Sequence, residues 1–236
     1  MIAWGDFDAL TFDCYGTLID WESGILSALG TLLGPDVATD PDRLLEDFGR
    51  FEPEAEAGPF RSYRAVLEDV ARAFGREYGV RVEGQAAVRF AESVADWPPF
   101  SDTVDALRFL AARYRLAIVS NVDDDLFAGT APRLEVPFDA VVTAQQVQSY
   151  KPKPEHFHEV SRRLDLPRER ILHVAQSLYH DVAPAKALGF RCVWVNRRAG
   201  RSGGGATPPS EARPDLEVSD LATLVRAVTA ANVSGP

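Results

Sequence analysis

The chain has 236 residues, 46% of them apolar and 25% charged, a size and balance that fit one large globular domain or two modest ones. Its net charge of −10 argues against a nucleic-acid partner, which needs basic surface to neutralise phosphates, and admits a small anionic ligand only where positive groups are concentrated locally. The two cysteines, Cys14 and Cys192, form no C-x-x-C pair, the N-terminal MIAWGDFDAL has no signal-peptide pattern, and no apolar run reaches about 18 residues, so a cytoplasmic setting and no membrane partner are expected.

Residues 8–12 read as a short strand. WESGILSALGTLL (21–33) then turns to helical spacing, with Trp21, Ile25, Leu29, Leu32 and Leu33 on one stripe. TDPDRLLEDFGRF opens a second helix, with Asp40 as N-cap and Pro41 at its first position. YRAVLEDVARAFGREYG places Tyr63, Val66, Leu67, Val70 and Phe74 on one face, and 84–95 form a weaker fourth helix. DWPPF (96–100) is a breaker and the expected hinge. Beyond it the pattern changes. A helix, DTVDALRFLAARY, precedes the strand RLAIVSN; DAVVTA (139–144) is a strand, PEHFHEVSRRLDL a helix, ILHVAQ (171–176) a strand, APAKALGF the end of a helix and RCVWVNR (191–197) a strand. AGRSGGGATPPSEARP reads as a flexible surface loop, and DLATLVRAV as a last helix. Strands alternating with helices imply parallel βαβ units, so an α/β parallel-sheet core of residues 1–20 and 99–236 is expected, interrupted by a helical insert at 21–98.

In open parallel sheets the ligand crevice lies at the carboxyl ends of the strands. That groups Asp13, Ser120 with Asn121, the loop of Lys151, and Gln176 with Ser177. Asp13 either belongs to an ordinary Asp-Gly-Thr turn or is an aspartate nucleophile that forms a covalent intermediate, with Gly16 allowing close backbone approach and Thr17 holding the carboxylate. Ser120 and Asn121 are either a helix N-cap or donors to an anionic group. The acids of VDDDL read as the solvated first turn of a helix rather than metal ligands. Lys151, stiffened by the prolines of SYKPKP, would offset Asp13 and bind an anion, whereas Lys153 reads as surface. Asp181 is either a macrodipole-compensating acid or a group that fixes Lys151 or orients a water. His180 reads as a neighbouring or surface group rather than a base, and His156, His158 and His173 show no ligand spacing.

In this order, FDCYGTL around Asp13, VSN at Ser120 and Asn121, YKPKPEHF at Lys151 and VAQSLYHDVAPAKALGF around Ser177 and Asp181 resemble the four motifs of the haloacid dehalogenase superfamily. The resemblance implies a Rossmann-like core, a cap domain at 21–98, Asp13 as nucleophile, and Thr17, Lys151, Ser177 and Asp181 as its catalytic partners. The phosphatases of that superfamily have a second Asp two residues after the nucleophile and a metal-binding Asp at the place of Gln176. Tyr15, a phenol with an ordinary pKa of about 10, and the neutral Gln176 are poor substitutes for these groups. Both departures resemble the L-2-haloacid dehalogenase branch, which has Tyr or Phe after the nucleophile and uses no metal. That implies attack of Asp13 on C2 and expulsion of halide, hydrolysis of the ester to a 2-hydroxy acid, and no obligatory cofactor. Ser120, Asn121 and Lys151 would meet the substrate carboxylate, and Tyr15 would line the pocket. AQSLYHD departs from the SSN triplet of that branch. The branch also carries a cap arginine near the halide. Arg50 is the expected one, with Arg61 and Arg64 as rivals, while Trp21, Phe48, Phe51, Phe60 and Tyr63 are expected in the cap core. A Mg²⁺-dependent phosphatase of a small metabolite and a non-catalytic domain binding an anion or a protein are the alternatives, and a homodimer is left open.

Overall fold

The short apolar runs become the strands of one parallel sheet in the computed structural model, which describes residues 2–35, 37, 40–201 and 205–233. They are β1 (Ala9–Phe12), β2 (Arg115–Ser120), β3 (Ala140–Thr143), β4 (Ile171–Ala175), β5 (Arg191–Val195) and β6 (Leu216–Val218), in the order β3-β2-β1-β4-β5-β6. Phe12 of the central strand pairs with Ile118 on one side and Val174 on the other, so β1, β2 and β4 end side by side. The strand order reverses between β1 and β4, the switch point at which open sheets of this kind leave a crevice.

The helices are α1 (Trp21–Leu33), α2 (Pro41–Glu56), α3 (Tyr63–Glu77), α4 (Gly84–Glu92), α5 (Thr103–Ala111), α6 (Asp124–Thr130), α7 (Ala144–Val147), α8 (Glu155–Leu164), α9 (Ala183–Ala187) and α10 (Leu221–Val233). None is long and apolar enough, among the described residues, to cross a membrane. Side chains alternate across the sheet. Leu10, Phe12, Ile118 and Val174 join Leu107 of α5 and Leu224 of α10 on one face. Ala9, Ala117, Val119 and Ile171 meet Phe157 and Val160 of α8 and Ala185 of α9 on the other.

Three of the first four helices carry their start signals locally. Asp20 accepts from Ser23 N at α1, Asp40 from Asp42 N at α2 with Pro41 in the first turn, and Ser62 from Ala65 N at α3. The apolar stripes of all four close on one another through residues such as Ile25, Phe48, Val70 and Phe90. The chain enters and leaves this block through adjoining stretches, with Asp20 N donating to Pro98 O at 2.8 Å and Phe100 N to Leu18 O at 3.1 Å. A Cβ on Gly24 of α1 would come within 2.3 Å of the Trp97 ring, so the helix lies against the returning segment at a distance only glycine permits.

Several expectations are revised. Asp123 is 3% exposed, and its carboxylate takes hydrogen bonds at 2.9 Å from Tyr63 N and Arg64 N; only Asp124 and Asp125 form a solvated turn. A carboxylate at the amino end of α3 satisfies orphan N–H groups and complements the helix dipole. The glycine-rich segment is not merely surface loop: Ala206 is buried, and a Cβ on Gly49 of α2 would meet its carbonyl oxygen at 3.0 Å. Residues 202–204 of that segment lie outside the described residues. β6 and the short helix α7 are additions, and Ala144 begins α7 rather than ending a strand.

Candidate active site

At the carboxyl end of β1, Asp13 is 7% exposed and held from both sides. Thr17 Oγ1 donates to Asp13 Oδ2 at 2.9 Å and itself accepts from Gln176 N at 2.9 Å, which ties the turn after β1 to the end of β4. Lys151 Nζ donates to Asp13 Oδ1 at 2.9 Å, to Asp181 Oδ1 at 2.6 Å and to the Val119 carbonyl at 2.9 Å. Burial pushes the Asp13 carboxyl up from its ordinary value, and the Lys151 ammonium pulls against that rise. For Asp181 burial also pushes upward, but Lys151 and His173 outweigh it and hold the carboxyl at about 2. Burial likewise works against the Lys151 ammonium, and the two carboxylates more than compensate, so the lysine is held above its usual value.

Two buried histidines support this group. His173 reaches Asp181 Oδ1 with Nε2 at 3.0 Å and Thr11 Oγ1 with Nδ1 at 2.9 Å. His156 Nε2 lies 3.2 Å from the Ser120 carbonyl, and burial holds His156 neutral, at about 3. Leu178–Val182 wind as a π turn started by Ser177, whose Oγ accepts from His180 N at 2.8 Å. The wider turn directs Asp181 inward while leaving Tyr179 exposed.

Asp13, Lys151, Ser177, Asp181, Ser120, Asn121 and Tyr15 all line one narrow cavity. Its free volume is about 40 Å³, room for only a few heavy atoms. Ser120 Oγ is buried in this wall with no protein partner, a hydroxyl placed to bind a ligand. Asn121 is placed differently from expectation. Its Nδ2 donates to Lys151 O at 3.1 Å and its Oδ1 accepts from Lys151 N at 2.7 Å, so the side-chain amide fixes the lysine's backbone instead of offering itself to a substrate. Burial raises the Tyr15 phenol well above its usual range, and its hydroxyl is engaged with Thr130 Oγ1 at 2.9 Å.

The expected arginine is not brought to the cavity. Arg50 is 49% exposed, paired with Asp47 at 2.7 Å and stacked over Phe51 on the outer side of α2. Arg61 pairs with Asp69 and Arg64 with Asp125, away from the lining. Among the described residues Lys151 is the one Lys or Arg that lines the cavity. What the helical block presents instead is Glu52, Glu56, Tyr63 and Trp21. Trp21 and Tyr63 are therefore wall as well as core, whereas Phe48 and Phe51 are buried and outside the lining. Glu52 and Glu56 went unread, although their spacing was visible: they continue the stripe of Leu45 and Phe48, where a solvent-facing acid has no place. His180 and Thr207 also reach the cavity.

The residues do not fit a Mg²⁺ site. The Lys151 ammonium stands between Asp13 and Asp181, Gln176 Oε1 is a neutral acceptor already engaged by Thr207 at 3.2 Å, and Tyr15 supplies no carboxylate.

A parallel sheet that gathers a carboxylate, a lysine and a second carboxylate at its switch point, covered by helices inserted after the first strand, defines a class of α/β hydrolases. The chain belongs to the haloacid dehalogenase-like hydrolase family, whose model matches residues 7–189. An (S)-2-haloacid dehalogenase of Pseudomonas putida is 25% identical over 222 residues, covering 93% of this chain and 95% of that protein. The crystal structure of an L-2-haloacid dehalogenase, 26% identical, superposes with a TM-score of 0.77 over 94% of this chain and 99% of the other. At 22% identity and a TM-score of 0.77, the L-2-haloacid dehalogenase of Xanthobacter autotrophicus with chloropropionic acid covalently bound shares the fold over 94% of this chain and 98% of its own.

Proposed function

We propose that the chain displaces halide from short 2-haloacids through an ester on Asp13, without a metal ion, and releases 2-hydroxy acids. The observation that carries this reading is the pair of positions where a metal-dependent site would place carboxylates: two residues after Asp13 stands the Tyr15 phenol, bound to Thr130, and at the end of β4 the neutral Gln176, whose Oε1 is engaged by Thr207. The relatives named (S)-2-haloacid dehalogenase, matched over nearly the whole chain, and the small cavity support it.

One carboxylate oxygen of Asp13 attacks C2 in line with the carbon–halogen bond. The new C–O bond forms as the halide departs with the electron pair, and it needs no proton. Ser120 Oγ donates to the substrate carboxylate, and Lys151, whose three hydrogens go to Asp13, Asp181 and Val119 O, attracts it by charge. Water then adds to the carboxyl carbon of Asp13 and the ester breaks on its acyl side. One proton of the water ends on the product hydroxyl and the other leaves to solvent, which restores the Asp13 carboxylate. Ser177 positions that water, with Asp181 behind Lys151 and Thr17 holding the carboxylate that is re-formed. Residues 21–98 act as a cap domain on a core of 1–20 and 99–236.

Halide release from L-2-chloropropionate is expected to proceed unchanged in EDTA, with no phosphate released from p-nitrophenyl phosphate. EDTA-sensitive phosphate release without halide release would sink this reading in favour of the phosphatase. Arg50→Ala is expected to leave kcat/KM for L-2-chloropropionate within about twofold and Tm within about 2 °C, as for an exposed side chain outside the site. A tenfold loss in kcat/KM would instead put Arg50 in contact with substrate.

A further inference from the structure

The cavity has an unusual balance of charge for a site that takes an anion. On the core side one ammonium, Lys151, serves two carboxylates, Asp13 and Asp181. On the opposite side α2 contributes two more carboxyls, Glu52 and Glu56, one helical turn apart, and no cation. Glu52 is 6% exposed and accepts a short hydrogen bond from Tyr63 Oη. Glu56 stands where the cavity meets an outer groove of about 340 Å³, and it lines both. A substrate carboxylate would be the fifth acidic group around one lysine. If all five were ionised, the anion would meet net repulsion in a space too small to separate the charges.

We propose that Glu52 and Glu56 determine the charge state of ligand this site accepts: a small carboxylate binds only while this pair carries its protons, so that the helical block offers neutral carboxyl hydrogens where a cation would otherwise be needed. The inference rests on the reading of the site as one for a small carboxylate, but not on halide chemistry. Burial pushes Glu52 up to about 7; burial and then the charge of Glu52 push Glu56 up to about 9, against the pull of Lys151. A carboxyl whose charge is disfavoured binds its proton more firmly still when a second anion arrives, so anion binding takes up protons above neutrality and weakens as pH rises.

Asp13 apart, the groups facing the pair whose titration is shifted are held away from that range. Tyr63 on α3 and Tyr150 beside Lys151 are pushed further up by burial, and Lys151 is raised. On the π turn, His180 is held neutral by burial at about 4 and Asp181 ionised at about 2. Lys153 and Tyr179 line only the outer groove, and Asp123 lies behind Tyr63 with its carboxylate bound to backbone N–H groups. Asp13 and Tyr15 face the pair from β1, Tyr15 as a neutral phenol. Asp13, itself pushed up by burial, is the rival source of a linked proton and is separated by the variants below.

The test is calorimetric titration of the full-length protein with propionate, a carboxylate with no leaving group. It is run from about pH 6 to about pH 9 in buffers of different ionisation heat, with propionamide as the neutral control. Proton uptake is expected on propionate binding above neutrality, with Kd rising up to about tenfold per pH unit, and none with propionamide. Glu56→Gln should remove part of the uptake while leaving the Glu52–Tyr63 bond in place, and Glu52→Gln with Glu56→Gln should flatten the profile. Propionate binding without proton uptake above neutrality, uptake that persists undiminished in the double variant and so belongs to Asp13, or no binding of propionate at about pH 6 would each overturn the proposal. Halide release is assayed in the same preparations: proton-linked propionate binding without halide release would refute the dehalogenase reading and leave this inference standing.

Discussion

Asp13→Asn is expected to lower kcat for L-2-chloropropionate by at least about 10⁴-fold, the scale on which removal of a covalent nucleophile acts. The amide is nearly isosteric, so Lys151 keeps Asp181 and the Val119 carbonyl, and Thr17 can still donate to the amide oxygen. The native pKa of Asp13 lies above the unfolded one, so its ionised form works against the folded state once pH exceeds the unfolded value near 3.8. Loss of that charge offsets loss of the pair with Lys151, and Tm should stay within about 4 °C of the parent. The combination is the diagnostic result. Wild-type halide release in a folded Asp13→Asn protein would end the nucleophile assignment, and an unfolded variant would show that Asp13 serves the fold instead.

Lys151→Met should cost far more stability. It leaves the Asp13 and Asp181 carboxylates buried together without the one cation that lines their cavity among the described residues. Breaking a buried pair from one side costs about 3–5 kcal/mol, which for a chain of this length lowers Tm by roughly 6–20 °C. The pH dependence carries a sign. The native pKa of Asp181 is depressed to about 2, so its contribution to stability is fully present above the unfolded value near 3.8 and is lost as pH falls through about 2. The gap in Tm between wild type and Lys151→Met should therefore be widest near neutrality and close on acidification. A gap that is constant down to about pH 2, checked by thermal melts across the range, would show that the lysine's stem, not its charge, holds the site.

The catalytic candidates on the core were legible because they sit at fixed offsets from strand ends. Asp13, Ser120 and Gln176 each follow a short apolar run, and parallel pairing brings those ends together whatever else the chain does. The cavity residues of the helical block were not legible in the same way. Helical periodicity says that Glu52, Glu56, Leu45 and Phe48 share one face of α2, but the rotation of α2 over the cavity depends on how it packs with α1 and α3 and on the backbone of Ala206 against Gly49. Arg50, two residues before Glu52, points to solvent for the same reason.

Length, alternation of strand and helix, and the four motifs determined the α/β class, the place of the helical insert and the identity of Asp13, Lys151 and Asp181 as a group. These depend on interactions close in sequence and on the geometry common to parallel sheets. Only the tertiary structure decided what each polar side chain is bound to: Asn121 to the Lys151 backbone, Asp123 to the start of α3, Thr207 to Gln176, and two carboxyls rather than an arginine across from Asp13. A hydrogen bond or a buried charge is settled by partners that can stand far away along the chain, and the residue type alone does not name them.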